Sequence, residues 1–279
     1  MNKTALHCSV AAALVVGMAA APVAAADTLR AVPVDATGPF NDPESEVWDQ
    51  APAVTVSLNP QQVTRPHHAD IAVTELTVRA VNNGNWVGIL IEWDDDTRDD
   101  WFVTDAFGDQ VAVQFPVEGP ASPMMGNPGG KVNILQWRAA FQRDLVAGEP
   151  DIRDLYPYAL VDVYPDEVLR VTDARAFAGA MGVDNPVARP FESPVLEQMA
   201  EGWGSLTVKP MQHADGWGVW EDGTWRVAIT RPANQIMPGD PDLSRGTETQ
   251  AAFAVWDGGN REVGGRKSWS GWIDLKVEE

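Results

Sequence analysis

The sequence predicts a mainly β protein, a two-sheet antiparallel β-sandwich with a few short helices and long loops. Three observations point there. Short apolar runs recur along the chain and are punctuated by 24 glycines and 21 prolines, the rhythm of sandwich strands and their turns. Several runs alternate apolar and polar residues, as strands with one buried face do. The aromatic complement is dominated by 12 tryptophans, a residue favoured in strands.

The elements follow in order. Residues 76–81 (LTVRAV) alternate, residues 82–85 (NNGN) are a turn signal, and residues 86–93 return, which makes a β-hairpin. Further strands are expected at residues 111–117, 132–139, 160–163, 205–208, 225–230, 252–256 and 272–277. Residues 194–201 (PVLEQMAE) and 173–181 read as short helices. Residues 116–130 form a long loop rich in proline and glycine, the kind that often carries function.

The N-terminus reads as a leader. Lys3 is followed by an apolar run at residues 11–20, too short to span a bilayer. Ala24-Ala25-Ala26 offers a cleavage site before Asp27, so residues 1–26 are expected to be a secretory signal peptide. Residues 27–279 then form one domain, delivered to the periplasm. No later stretch is apolar enough for a membrane span. Cys8 is the only cysteine and leaves with the leader. The mature chain therefore has no disulfides, thiolate metal sites, iron–sulfur ligands or covalent haem attachment.

The formal charge is −20. That balance argues against a nucleic-acid partner, since phosphate contacts need a basic face. A basic protein partner fits, and so does a merely solvated surface.

No nucleophile elbow and no zinc-protease motif occur. The loop at residues 126–131 resembles a phosphate loop superficially, but Met125 replaces its first glycine and Val132 follows Lys131. Residues 93–101 (WDDDTRDDW) contain enough acid for calcium, yet lack the glycine and closing glutamate of an EF-hand. A solvated acidic turn is the simpler reading. His67 and His68 read as surface residues. Met124 and Met125 sit in a loop of surface composition, although methionine usually fills cores. Thioether sulfur suits haem iron and copper, and blue copper would need a cysteine. A methionine and a histidine such as His213, brought together across the fold, could hold haem; on the residues alone, core packing of the methionines is the simpler reading.

Five stretches occur in order: VAVQFPV at 111–117, MGNPGGKVNILQW at 125–137, EGWGSLT at 201–207, GVWEDGTWRVAITRP at 218–232 and AVWDGGNREVGGRKSWSGWIDL at 254–275. In these the chain resembles the haem b (gamma) subunits of the type II dimethyl sulfoxide reductase family of periplasmic molybdoenzymes, over nearly the whole mature chain. The resemblance implies a sandwich whose long loops cradle one non-covalent haem b. It implies Met125 as one axial ligand, because Met125 directly precedes the glycine of the loop, with Met124 as a neighbour. The second ligand is implied in the segment after EGWGSLT, where His213 and Lys209 both qualify. His213 is preferred, since neutral imidazole binds iron at neutral pH while lysine titrates near 10.4. Lys131, Arg138 and Arg266 are candidate partners for the haem propionates.

With both axial positions filled, the implied role is non-catalytic electron transfer. The implied partners are a molybdopterin catalytic alpha subunit and an iron–sulfur beta subunit, which complete a heterotrimer, and a soluble cytochrome c. The substrate is chosen by another polypeptide. Two other classes are compatible with a secreted, tryptophan-rich sandwich: a carbohydrate-binding module, which residues 41–52 (NDPESEVWDQAP) also suggest, and a hydrolase. Neither needs Met125 or His213, and an absorption spectrum separates them from a haem protein.

Overall fold

A computed structural model of the chain describes residues 28–148, 150, 152–158, 160 and 192–279. The expected signal peptide (1–26), the helix at 173–181 and all but the first residue of the strand at 160–163 lie outside the described residues. The strands are β1 (Leu29–Pro33), β2 (Val54–Ser57), β3 (Asn59–Pro60), β4 (Glu75–Asn82), β5 (Trp86–Asp94), β6 (Gln110–Glu118), β7 (Lys131–Arg138), β8 (Val195–Ala200), β9 (Thr207–Val208), β10 (Asp215–Glu221), β11 (Thr224–Pro232), β12 (Glu248–Trp256), β13 (Ser268–Trp269) and β14 (Ile273–Val277). Two helices, α1 (Ala139–Ala147) and α2 (Ile152–Leu155), follow β7.

The strands run in the order β10-β11-β5-β4-β1-β14-β12-β6-β7-β8-β9. β12 is the corner: its first half pairs with β14 and its second half with β6. The ribbon folds there into two layers. Alternate residues of both layers meet in one core, with Val111, Val113, Phe115, Leu135 and Trp137 from one side and Val78, Ala80, Ile89, Ile91 and Val227 from the other. Trp137 of β7 packs edge-on against Trp225 of β11, centroids 4.9 Å apart. Aromatic pairs of this kind add to the burial energy of the core.

Three elements differ from expectation. PVLEQMAE is a strand, β8, paired with β7 over six residues. Its polar residues Glu197 and Gln198 are both buried and partnered internally. Tertiary context thus overrides local pattern. Residue 139, expected to end a strand, begins α1. The sandwich is antiparallel except at β1, which runs parallel to both β14 and β4.

The outer face of the β4-β5-β11 layer is covered by residues 34–51, with Trp48 buried on Val81, Leu90 and Ala228. The outer face of the β12-β6-β7-β8 layer is covered differently, and it carries the site.

Candidate functional site

Period-two alternation decides what faces outward from the second layer. On β6 these are Gln110, Ala112 and Gln114; on β7, Ile134, Gln136 and Arg138; on β8, Gln198; on β12, Ala252, Ala254 and Trp256. All of them line a cavity of about 690 Å³, within the range of cofactor pockets. Three glutamines make its polar floor and are buried, at 3, 6 and 2 % exposure for Gln110, Gln136 and Gln198. Their amides form a ladder across three strands: Gln198 Nε2 donates to Gln136 Oε1 at 2.8 Å, and Gln136 Nε2 to Gln110 Oε1 at 2.8 Å. Buried amides are stable only when paired in this way.

Loops wall the cavity. Residues 119–130 contribute Ser122, Pro123, Met124, Met125, Gly126, Asn127 and Pro128; residues 202–206 contribute Trp203 and Leu206; residues 263–267 contribute Gly264, Gly265 and Lys267. The first loop is tied down by its own main chain. Gly126 N donates to Ser122 O (2.9 Å), Asn127 and Gly130 exchange main-chain bonds (2.9 and 2.8 Å), and Asn127 Oδ1 accepts Ser122 N at 2.7 Å. Met125 sits at φ 65, in the left-handed region that a non-glycine residue enters at a cost. It packs against Ala112, Val132, Ile134, Ala200 and Trp256. Both methionines line the cavity.

In a chain of charge −20 the described lining contains no aspartate or glutamate and two cationic side chains, Arg138 and Lys267. Lys267 has its ammonium 5.1 Å from the centre of the Trp256 ring. Burial pushes it down from 10.5 to about 8, because desolvation disfavours the charged form. No carboxylate pairs with it among the described residues. Arg138 is likewise lowered, to about 10, by burial. It donates to Gln136 Oε1 at 3.0 Å, stacks on Phe141 at 4.8 Å, and keeps a buried Nε without a partner.

The other candidates from the sequence lie elsewhere. Lys131 pairs with Glu118 at 2.8 Å outside the lining. Arg266 lies over Phe107 at 5.4 Å, also outside it. Lys209 and His213 do not line the cavity. The Lys209 ammonium is fully buried between Glu197 (2.7 Å) and Asp240, and Arg231 reaches the same two carboxylates at 3.2 and 3.3 Å. Glu197 faces away from Gln198 on β8, so this quartet belongs to the opposite face of the strand. The main chain of His213 is fixed there, its N–H donating to Glu197 Oε2 at 3.1 Å.

Lys267 and the glutamine ladder escaped the sequence reading. A signal was available in each case. Gln110, Gln114, Gln136 and Gln198 interrupt otherwise apolar strands, and Lys267 stands between a glycine pair and Trp269. The cavity itself fits a flat, largely apolar cofactor. The residues that line it offer a thioether, an amine that burial brings toward neutrality, and a guanidinium without a carboxylate partner. Gly204 and Gly264 have open space where a Cβ would stand, so the rim is shaped by absent side chains.

Fold and cavity together define a sandwich protein with a cofactor-sized cavity on the outer face of a sheet. The chain belongs to the ethylbenzene dehydrogenase family, whose model matches residues 45–179 and 209–268. Chlorate reductase subunit gamma of Ideonella dechloratans is 26 % identical over 269 residues, covering 93 % of this chain and 90 % of that one. A protein of Haloferax mediterranei, whose name proposes it as the haem subunit of a respiratory nitrate reductase, is 24 % identical over 233 residues. That match covers 82 % of this chain and 66 % of the relative, so the chain spans just under two thirds of its length. A family 9 carbohydrate-binding module of Caldicellulosiruptor kristjanssonii aligns with 91 % of this chain and 97 % of its own at 11 % identity and a TM-score of 0.40. Likeness at that level says nothing about ligand.

Proposed function

We propose that the chain is the electron-transfer gamma subunit of a periplasmic molybdoenzyme and binds one haem b in the cavity under the 119–130 loop. The observation that carries this is the lining: Met125, Lys267 and Arg138 line one largely apolar cavity whose described lining holds no aspartate or glutamate. Relatives named as haem and gamma subunits of nitrate and chlorate reductases support it.

Bound there, haem supplies a one-electron Fe(III)/Fe(II) couple. Met125 would hold the group through its sulfur, on a loop whose main-chain bonds fix its position. Lys267 would hold it through its amine, in the role for which the sequence pointed to His213 or Lys209. Its burial lowers the cost of losing the proton that would block coordination. Arg138 pairs with a propionate. Held by both Met125 and Lys267, the metal would have no position left for substrate, in keeping with a non-catalytic, electron-transfer role. The thioether raises the potential above that of a site with two nitrogen ligands, which suits exchange between an iron–sulfur subunit and a soluble, basic cytochrome c. The partners are a molybdopterin alpha subunit and an iron–sulfur beta subunit. The ordered motifs lead us to suggest dimethylsulfide dehydrogenase as the enzyme.

The test is an absorption spectrum of the purified complex, air-oxidised and dithionite-reduced. We expect a low-spin haem b spectrum with a Soret band at one haem per gamma chain. A complex intact in all subunits but without a Soret band overturns the reading.

A further inference from the structure

Three loops meet at the end of the sandwich beside the cavity floor. One leaves β5 and carries Asp95; one enters β6 and carries Asp109; one leaves β12 and carries Asp257. The three aspartates are buried, and each offers a carboxylate oxygen within 4.8 Å of the others. The convergence requires small residues. A Cβ on Gly258 would stand 2.6 Å from Asp99 Cβ and 2.0 Å from Phe107 O, and one on Gly259 would stand 2.6 Å from Thr97 Oγ1.

Most carboxylate oxygens here have partners. Asp109 accepts Gly258 N (2.8 Å) on Oδ1, and Asp99 N (2.7 Å) and the Trp225 indole N–H (3.0 Å) on Oδ2. Asp257 Oδ1 accepts Asn260 N at 2.9 Å. Asp95 Oδ1 accepts Thr97 N at 3.1 Å. Asp95 Oδ2 is different. Asp95 is only 4 % exposed, and this oxygen is buried with no hydrogen-bond partner among the described residues. The Trp93 indole N–H bears on it without reaching hydrogen-bond geometry. No lysine or arginine forms an ion pair with any of the three among the described residues. An anionic cluster with an orphaned buried oxygen calls for a cation.

We infer that Asp95, Asp109 and Asp257 form a calcium site that staples the ends of β5, β6 and β12. The donor set is all oxygen, without nitrogen or sulfur, which suits a hard cation and excludes zinc-type sites. Irregular carboxylates from three loops suit calcium better than the strict octahedron of magnesium. Gln110 follows Asp109 and Trp256 precedes Asp257, so two of the three strands that hold the ion, β6 and β12, also line the cavity. The acidic turn after Trp93 is thus partly a buried structural feature, not only a solvated one.

The test uses the purified complex. Metal analysis of protein prepared without chelator should find one calcium per gamma chain. After chelator treatment, adding calcium should raise the gamma-chain Tm by about 5–10 °C at a hundredfold excess over Kd, and magnesium should not. Terbium, added as a probe, should give luminescence sensitised by Trp225 and Trp93. Asp95→Asn removes a charge from an oxygen that bonds nothing, so the variant should fold and melt no lower than wild type in chelator, yet lose the calcium response at least a hundredfold in concentration. Wild-type protein free of calcium and indifferent to it overturns the site; so does an Asp95→Asn variant that responds like wild type. Haem content is read separately from the Soret band, so failure here leaves the haem reading standing.

Discussion

Gly202 N donates to the carbonyl of Met125 at 2.8 Å, tying together two loops that line the cavity. Gly126, next in the chain, has φ 75, and a Cβ there would stand 2.5 Å from Gly130 O and 3.0 Å from Ala200 O. Gly126→Ala should therefore cost about 1–3 kcal/mol through strain and displace the Met125 loop. Thermal melts should show a lower Tm, and the ratio of Soret to protein absorbance should fall. A variant with wild-type Tm and haem content would show that the loop has slack.

Met125→Ala and Met124→Ala separate the two methionines that line the cavity. We expect Met125→Ala to lose the sulfur-ligand signature and lower the reduction potential, because a thioether favours Fe(II). Met124→Ala should leave both unchanged. The reverse pattern would move the ligand by one residue.

Lys267→Ala should convert the haem to a high-spin or rewired species, while His213→Ala should keep the parent spectrum. Arg138→Gln should keep the axial ligands and weaken haem retention, since it removes a buried cation that has no carboxylate partner among the described residues. A low-spin spectrum that survives Lys267→Ala and is lost in His213→Ala would return the second position to the histidine.

Much of the fold was legible because it rests on local signals. The hairpin of β4 and β5 follows from alternation and NNGN, and β6, β7, β11, β12 and β14 follow from apolar runs. β8 was not legible, because Glu197 and Gln198 are satisfied by residues 12 to 62 positions away in sequence. Met124 and Met125 stand out together because their loop composition is odd for a thioether, and the family resemblance, not the composition, prefers Met125. For Lys267 the sequence offers only its place between a glycine pair and Trp269; what decides its role, burial over Trp256 and the lack of a carboxylate partner among the described residues, exists only after folding. Lys209 shows the converse. It stands in the expected segment, but its ammonium is committed to Glu197 and Asp240.

That commitment makes Lys209 structural. Lys209→Ala leaves two carboxylates and Arg231 buried with one cation missing. Breaking a buried pair in this way costs about 3–5 kcal/mol. Chemical denaturation should show that loss, and the haem spectrum of the folded fraction should not change. A variant as stable as wild type would mean that water reaches the quartet.

The same quartet sets an acid limb to stability. Burial alone would raise Asp240, but the Lys209 ammonium, the N–H groups of Ile236 and Met237 and the Arg231 charge outweigh it and hold Asp240 at about 2, below its ordinary 3.8. A carboxylate with a lowered folded pKa stabilises fully above its unfolded value, and that stability is lost as pH falls through the folded value. The contribution of Asp240 should therefore be complete above about pH 4 and disappear toward pH 2. Asp240→Asn isolates it, since the other titrating groups are common to both proteins. Denaturant midpoints of wild type and variant should be far apart at pH 6 and converge between pH 4 and pH 2. A gap that stays constant over that interval would mean that Asp240 is held by shape and hydrogen bonding, with its charge contributing nothing.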